Sequence, residues 1–107
     1  MDVNTLLTTP TIQAALQTIS AETETVVDLA IAVQQVPAPT FAEHERARFV
    51  KTLFEENHLL DVEMDEIGNV YGRYPGHKSD APVIVSAHSD TVFAADTDLT
   101  ILSLIHI

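Results

Sequence analysis

The stretch Val83-Ile84-Val85-Ser86-Ala87-His88-Ser89-Asp90-Thr91 decides how this chain is read. Its first five residues form a short continuous apolar run, the mark of a strand buried on both faces. The run ends abruptly at His88, Ser89 and Asp90. In α/β sheets, ligands gather beyond the carboxyl ends of strands, where backbone leaving the core meets open space. Residues i and i+2 of an extended chain project to the same side, so His88 and Asp90 can face one cavity. A neutral imidazole is a good zinc ligand. A carboxylate beside it can hold the other ring nitrogen, fix the tautomer and raise the basicity of the ligand. Ser89 points the opposite way, which excludes a Ser-His-Asp nucleophile made from these three neighbours. A His-x-Asp at a strand end can equally be a hydrogen-bonded loop, and the residues alone leave both readings open.

Working back from this stretch, residues 75–82 read as a loop. Val70-Tyr71-Gly72-Arg73-Tyr74 reads as a strand, and Ile67-Gly68-Asn69 as a turn. Val62 and Met64 alternate with Asp61, Glu63 and Asp65, which predicts a second strand and an antiparallel hairpin. The acidic run 61–66 then forms a solvated strand face. It lacks the oxygen-ligand spacing of a calcium loop.

Farther upstream the period becomes helical. Thr40-Phe41-Ala42-Glu43 has the form of a capping box opening a helix to about Asn57. Ala47, Val50, Leu53 and Phe54 form its apolar face, with Glu43, Glu45, Arg46 and Lys51 in solvent. Asn57-His58 reads as a left-handed exit. Pro37-Ala38-Pro39 stops a preceding helix that begins near Glu22. Thr9-Pro10 starts an earlier one, with Thr9 as N-cap and a break or continuation around Ser20. Residues 1–9 are expected to fray. Helices followed by a hairpin and a buried central strand make part of an α/β sandwich.

Composition narrows the function. The chain has 107 residues, the length of one small domain, and 46% of them are hydrophobic, enough for a core. Sixteen acidic against five basic side chains give a formal charge of −11. That argues against nucleic acid and against an anionic membrane surface, and allows a cationic partner such as a metal ion. There is no cysteine, so a metal site must use His and carboxylate ligands. The N-terminus carries no signal-peptide pattern and no apolar run is long enough to span a bilayer, which makes the cytoplasm the default location.

The stretch 83–93 resembles the first metal motif of the aminoacylase-type di-zinc metallopeptidases. That family takes in peptidase T, acetylornithine deacetylase, succinyl-diaminopimelate desuccinylase and the glutamate carboxypeptidases. Three further stretches match its N-terminal pattern in order: Gln35-Val36-Pro37-Ala38-Pro39-Thr40-Phe41, Asp65-Glu66-Ile67-Gly68-Asn69-Val70-Tyr71-Gly72, and Ala81-Pro82-Val83. Four stretches in the right order, across roughly residues 22–100, are far more specific than one three-residue motif. The resemblance implies that His88 binds one of two metal ions and that Asp90 is the active-site carboxylate orienting its ring. It implies zinc, with cobalt or manganese also suited to such ligands. The reaction would be hydrolysis of an amide bond in a peptide or an N-acyl amino acid.

The family's other ligands, its general base and its dimerisation insert lie downstream of the first motif and find no counterpart here. Asp96 and Asp98 are too close to His88 and lack the glycine-led context of the bridging aspartate, so they read as loop carboxylates. The expectation is an N-terminal portion of a catalytic domain, inactive alone, with a homodimer open only to the full-length parent. Residues 101–107 do not resemble the family's continuation and read as a non-native tail, or as a genuine strand beginning at Leu99. His44 is expected in solvent, His58 at the helix exit and His77 in the loop. His106 falls in the tail. From a different class, an acidic α/β module without catalysis could bind a protein partner along an open sheet edge.

Overall fold

The computed structural model of the chain describes residues 2–77 and 81–102. It is a mixed α/β fold with helices α1 (Val3–Thr8), α2 (Pro10–Ala21), α3 (Thr23–Gln35) and α4 (His44–Glu56). Strands β1 (Leu60–Met64) and β2 (Val70–Arg73) form one two-stranded antiparallel sheet. No helix among the described residues is long and apolar enough to cross a membrane. The chain divides into two compact units, Met1–Ala32 and Val33–Ile107.

In the first unit, the expected frayed start is instead the short helix α1. Asp2 caps it: its carboxylate accepts from the Thr5 amide at 2.9 Å and the Thr5 hydroxyl at 3.2 Å. This satisfies one of the amides a helix start leaves orphaned. Pro10 opens α2 behind an extended Thr9, as its fixed φ and missing N–H favour. The Thr9 hydroxyl does not cap; it donates back to the Thr5 carbonyl at 2.9 Å. Of the break or continuation left open around Ser20, the chain breaks, at Glu22 between α2 and α3.

The second unit is built around α4. The Pro37-Ala38-Pro39 stretch follows the end of α3 at Gln35, as expected. The capping box does not form: α4 begins at His44, with Glu43 at the N-cap and no side-chain cap. The Thr40 hydroxyl donates instead to Asp90 at 2.8 Å, and the Glu43 carboxylate accepts from the Phe41 amide at 2.7 Å. With the helix starting four residues later, Thr40 is no longer its cap, and its O–H makes a charge-assisted bond to the distant carboxylate.

Helix α4 packs against β1 and β2, with Phe54 beside Gly72; Ala47 is buried and Val50, Leu53 and Phe54 are half-buried. Arg46, expected in solvent, is buried at 5% exposure. At the far end, the His58 amide donates to Glu55 and the Leu59 amide to Phe54, each at 3.0 Å. That is a Schellman exit with His58 in the left-handed slot at φ 58°, while Asn57 remains at φ −86°.

The hairpin pairs Leu60 with Arg73, Glu63 with Tyr71 and Met64 with Val70. One extra residue between Leu60 and Glu63 makes a bulge, where Asp61 takes φ 52° and accepts from Arg73 Nε at 2.7 Å. Tyr74 falls outside β2. The turn is organised by Asp65, whose carboxylate accepts from the Ile67 amide, the Asn69 amide and side chain, and the Tyr71 hydroxyl at 2.7–3.1 Å. Gly68 supplies the positive φ of 91° that this turn requires.

The buried central strand is overturned. Residues 83–87 are in no strand, and Val83, Ile84 and Val85 are 89%, 86% and 91% exposed. A strand is defined by ladder hydrogen bonds, and among the described residues no neighbouring strand offers them. Residues 99–102 are in no strand either. Part of the expected loop (78–80) and most of the expected tail (103–107, with His106) lie outside the described residues.

Candidate functional site

The site is assembled where the His88–Thr91 stretch docks onto the Pro37-Ala38-Pro39 turn. The Thr91 amide donates to the Ala38 carbonyl at 2.8 Å, which makes a parallel bridge between Pro39 and Thr91. Ala38 beneath it is 1% exposed. This fixes the backbone on which His88 and Asp90 sit.

The two side chains meet. His88 Nδ1 lies 3.1 Å from Asp90 Oδ1 and 3.2 Å from the Asp90 carbonyl oxygen. An ionised carboxylate only accepts, so the Nδ1 nitrogen carries the proton and Nε2 of the neutral ring keeps its lone pair. Nε2 makes no hydrogen bond among the described residues, and the His88 side chain is 86% exposed. The other Asp90 oxygen, Oδ2, accepts from the Thr40 hydroxyl at 2.8 Å. The Thr40 hydrogen bond, and after it the His88 contact, hold the Asp90 carboxyl below the usual carboxylate range.

Behind the pair, Arg46 donates to three main-chain carbonyls: Ser89 at 2.7 Å, Val36 at 2.8 Å and Gln34 at 2.9 Å. Burial pulls its guanidinium down from the ordinary range, and the Asp90 charge opposes that shift. Guanidinium basicity is high enough to keep it a cation at neutral pH.

An open depression of about 370 Å³ lies in front of His88 and Asp90. Phe41 and Glu43 line one side of it, and Ile67, Gly68 and Asn69 of the hairpin turn line another. Phe41 has φ 69° and is 94% exposed, a conformation costly for a bulky residue. His44 is exposed, as expected, and its Nε2 lies 3.2 Å from the Glu66 carbonyl, which ties the start of α4 to the turn. Three of the four stretches singled out in the sequence therefore border one depression. Asp98 is a local loop carboxylate, accepting from the Thr100 amide at 2.9 Å and its hydroxyl at 2.6 Å.

Sequence reasoning missed Arg46 and the long-range partner of Thr40. A signal for Arg46 was present: it stands four residues before Val50 and seven before Leu53, on the apolar side of its helix.

His88 and Asp90 fit the parts of one imidazole ligand and its orienting carboxylate. They do not fit a complete metal site, which needs three or four protein ligands. Among the described residues no group of three or more His, Asp or Glu side chains gathers. No protein-family model, curated protein or solved structure matches the chain significantly.

Proposed function

We propose that this chain supplies a metal ligand, His88, and its orienting carboxylate, Asp90, to a metal-dependent hydrolase of peptides or N-acyl amino acids. The observation that carries the reading is the His88–Asp90 contact at the edge of a depression bordered by three of the stretches singled out in the sequence. Two divalent ions, when bound, would polarise an amide carbonyl and lower the pKa of a bound water toward neutrality. The chain's own contribution is orientation. Asp90 keeps the ring proton on Nδ1, so that Nε2 is free to act as a ligand. On this reading the remaining ligands and the general base come from outside these residues, and these residues alone do not turn over substrate.

The exposed Val83, Ile84 and Val85 also suit a second reading, a non-catalytic acidic module that pairs with a partner's strand. One experiment separates the two: sequencing the parent DNA through and beyond codon 100. A frame that continues into a glycine-led aspartate, the bridging ligand of the resembled family, supports the hydrolase. A supported frame that stops after codon 107 contradicts it and favours the module.

A further inference from the structure

We infer that Arg46 and Thr40 are the positioning residues of the His88–Asp90 pair, Arg46 acting through the Ser89 carbonyl and Thr40 through Asp90 Oδ2. The purpose of this positioning rests on the proposed ligand role of His88, but the positioning itself rests on hydrogen bonds.

A buried guanidinium is unfavourable unless its donors are met. The donors of Arg46 meet main-chain carbonyls, at Gln34, Val36 and Ser89. These acceptors lie 10 to 43 residues from Arg46 in sequence. Arg46 therefore joins the end of α3 and the residue just after it to the residue that stands between His88 and Asp90. A bidentate carboxylate would satisfy a guanidinium with less constraint on the backbone. The fork used here instead locks the main chain that carries both site residues.

Thr40 acts on the side chain. Its hydroxyl occupies Oδ2 of Asp90 at 2.8 Å and leaves Oδ1 turned to His88 Nδ1 at 3.1 Å. A carboxylate held at one oxygen and anchored through its backbone has little freedom to rotate away from the ring. The ring is thereby biased to the Nδ1–H tautomer, whereas an unconstrained imidazole in water favours the proton on Nε2. If Arg46 and Thr40 only held the fold together, removing the exposed Thr40 hydroxyl would leave that tautomer balance unchanged.

The test uses the ¹⁵N-labelled, metal-free full chain at about pH 8, where an ordinary imidazole is neutral. Ring ¹⁵N shifts report the ratio of the two His88 tautomers. The Nδ1–H form should dominate in the parent chain. Thr40→Val should lower the ratio about tenfold, and Thr40→Ser should restore it, as expected for the loss and return of one hydrogen bond to a charged group. Arg46→Gln and Arg46→Lys should both lower it, since an ammonium cannot span three separate carbonyls. An unchanged ratio in Thr40→Val overturns the role of Thr40, and a parent-like ratio in Arg46→Lys overturns that of Arg46. Thr40 is exposed and its loss leaves the core intact, so the Thr40 pair keeps the inference falsifiable where an Arg46 variant does not fold. Adding zinc separates the two claims. A tautomer shift without a zinc response at His88 keeps the positioning and removes the ligand role, and the opposite result does the reverse.

Discussion

The Thr40 hydroxyl reaches the Asp90 carboxylate at 2.8 Å although fifty residues separate them in the chain. With the Thr91–Ala38 hydrogen bond, it ties the His88–Thr91 stretch to the turn before α4. Asp90→Ala removes the carboxylate and should loosen this attachment. The Thr91 amide, bonded to Ala38, should then exchange with solvent about fivefold faster, as expected for the loss of a supporting hydrogen bond. Hydrogen exchange by NMR reads this directly. Unchanged exchange at Thr91 would mean that the backbone bridge stands without the side chain.

The hairpin turn should be acid-sensitive. Hydrogen bonds from Asn69 first, and from Tyr71 and the Ile67 amide besides, hold the Asp65 carboxyl below its ordinary range. A depressed folded pKa means that the unfolded state binds the proton more readily. The stabilisation is therefore present above about pH 3.9 and is lost as pH falls through the lower folded value. The Ile67 and Asn69 amide signals should lose their structured shifts as pH falls below about 4, and Asp65→Asn should show no such transition. The same contacts raise the Tyr71 hydroxyl, through its bond to the Asp65 carboxylate and then the charge itself.

Two glycines should respond differently to alanine. At Gly72 an added Cβ would stand 2.8 Å from Phe54 Cδ2 and 3.0 Å from Leu59 Cδ1, where α4 and its exit meet the sheet. Gly72→Ala should cost about 1–3 kcal/mol through overpacking. At Gly68 the nearest atoms are at ordinary contact distances, Ala47 Cβ at 3.8 Å and His44 at 3.9 Å. There the penalty is conformational, about 1–2 kcal/mol for the positive φ, and Gly68→Asn should recover part of it. Urea unfolding of the three variants checks both the sizes and the order.

Val83, Ile84 and Val85 bury little of their surface, so a charge placed there should cost little. Ile84→Lys should change the unfolding free energy by less than about 0.5 kcal/mol. It should also raise the concentration at which the chain stays monomeric, because an extended β-prone run with open hydrogen-bonding groups invites edge pairing. Sedimentation and a urea melt on the same sample measure both. A large loss of stability would show that this run is covered in solution.

Much of the local structure was legible because its causes are local. Pro10 and Pro37 punctuate helices by geometry that no neighbour can alter. The alternation of Val62 and Met64, followed by Gly68-Asn69, announced the hairpin, and the helix exit could be placed at Asn57-His58. What was not legible depended on partners far along the chain. Thr40 and Glu43 have the right spacing for a capping box, but the helix begins only at His44 and the Thr40 hydroxyl turns to Asp90. Arg46 reads as a surface charge until three carbonyls from distant residues surround it. The apolar character of Val83–Ala87 was plain, yet a strand needs a ladder partner, and apolarity does not provide one. The contact between His88 and Asp90 followed from their spacing; the hydrogen bonds behind that pair did not.

Titrating the ¹⁵N-labelled chain with zinc asks whether His88 ligates a metal ion through Nε2, as proposed. The His88 ring should respond before His44, His58 and His77, with Nε2 as the nitrogen that shifts, and Asp90→Ala should weaken the response. Binding should be weak, since one imidazole falls short of the three or four ligands of a tight site. A His88 ring that moves no sooner than the other histidines, or one that binds through Nδ1, would contradict the proposed ligation.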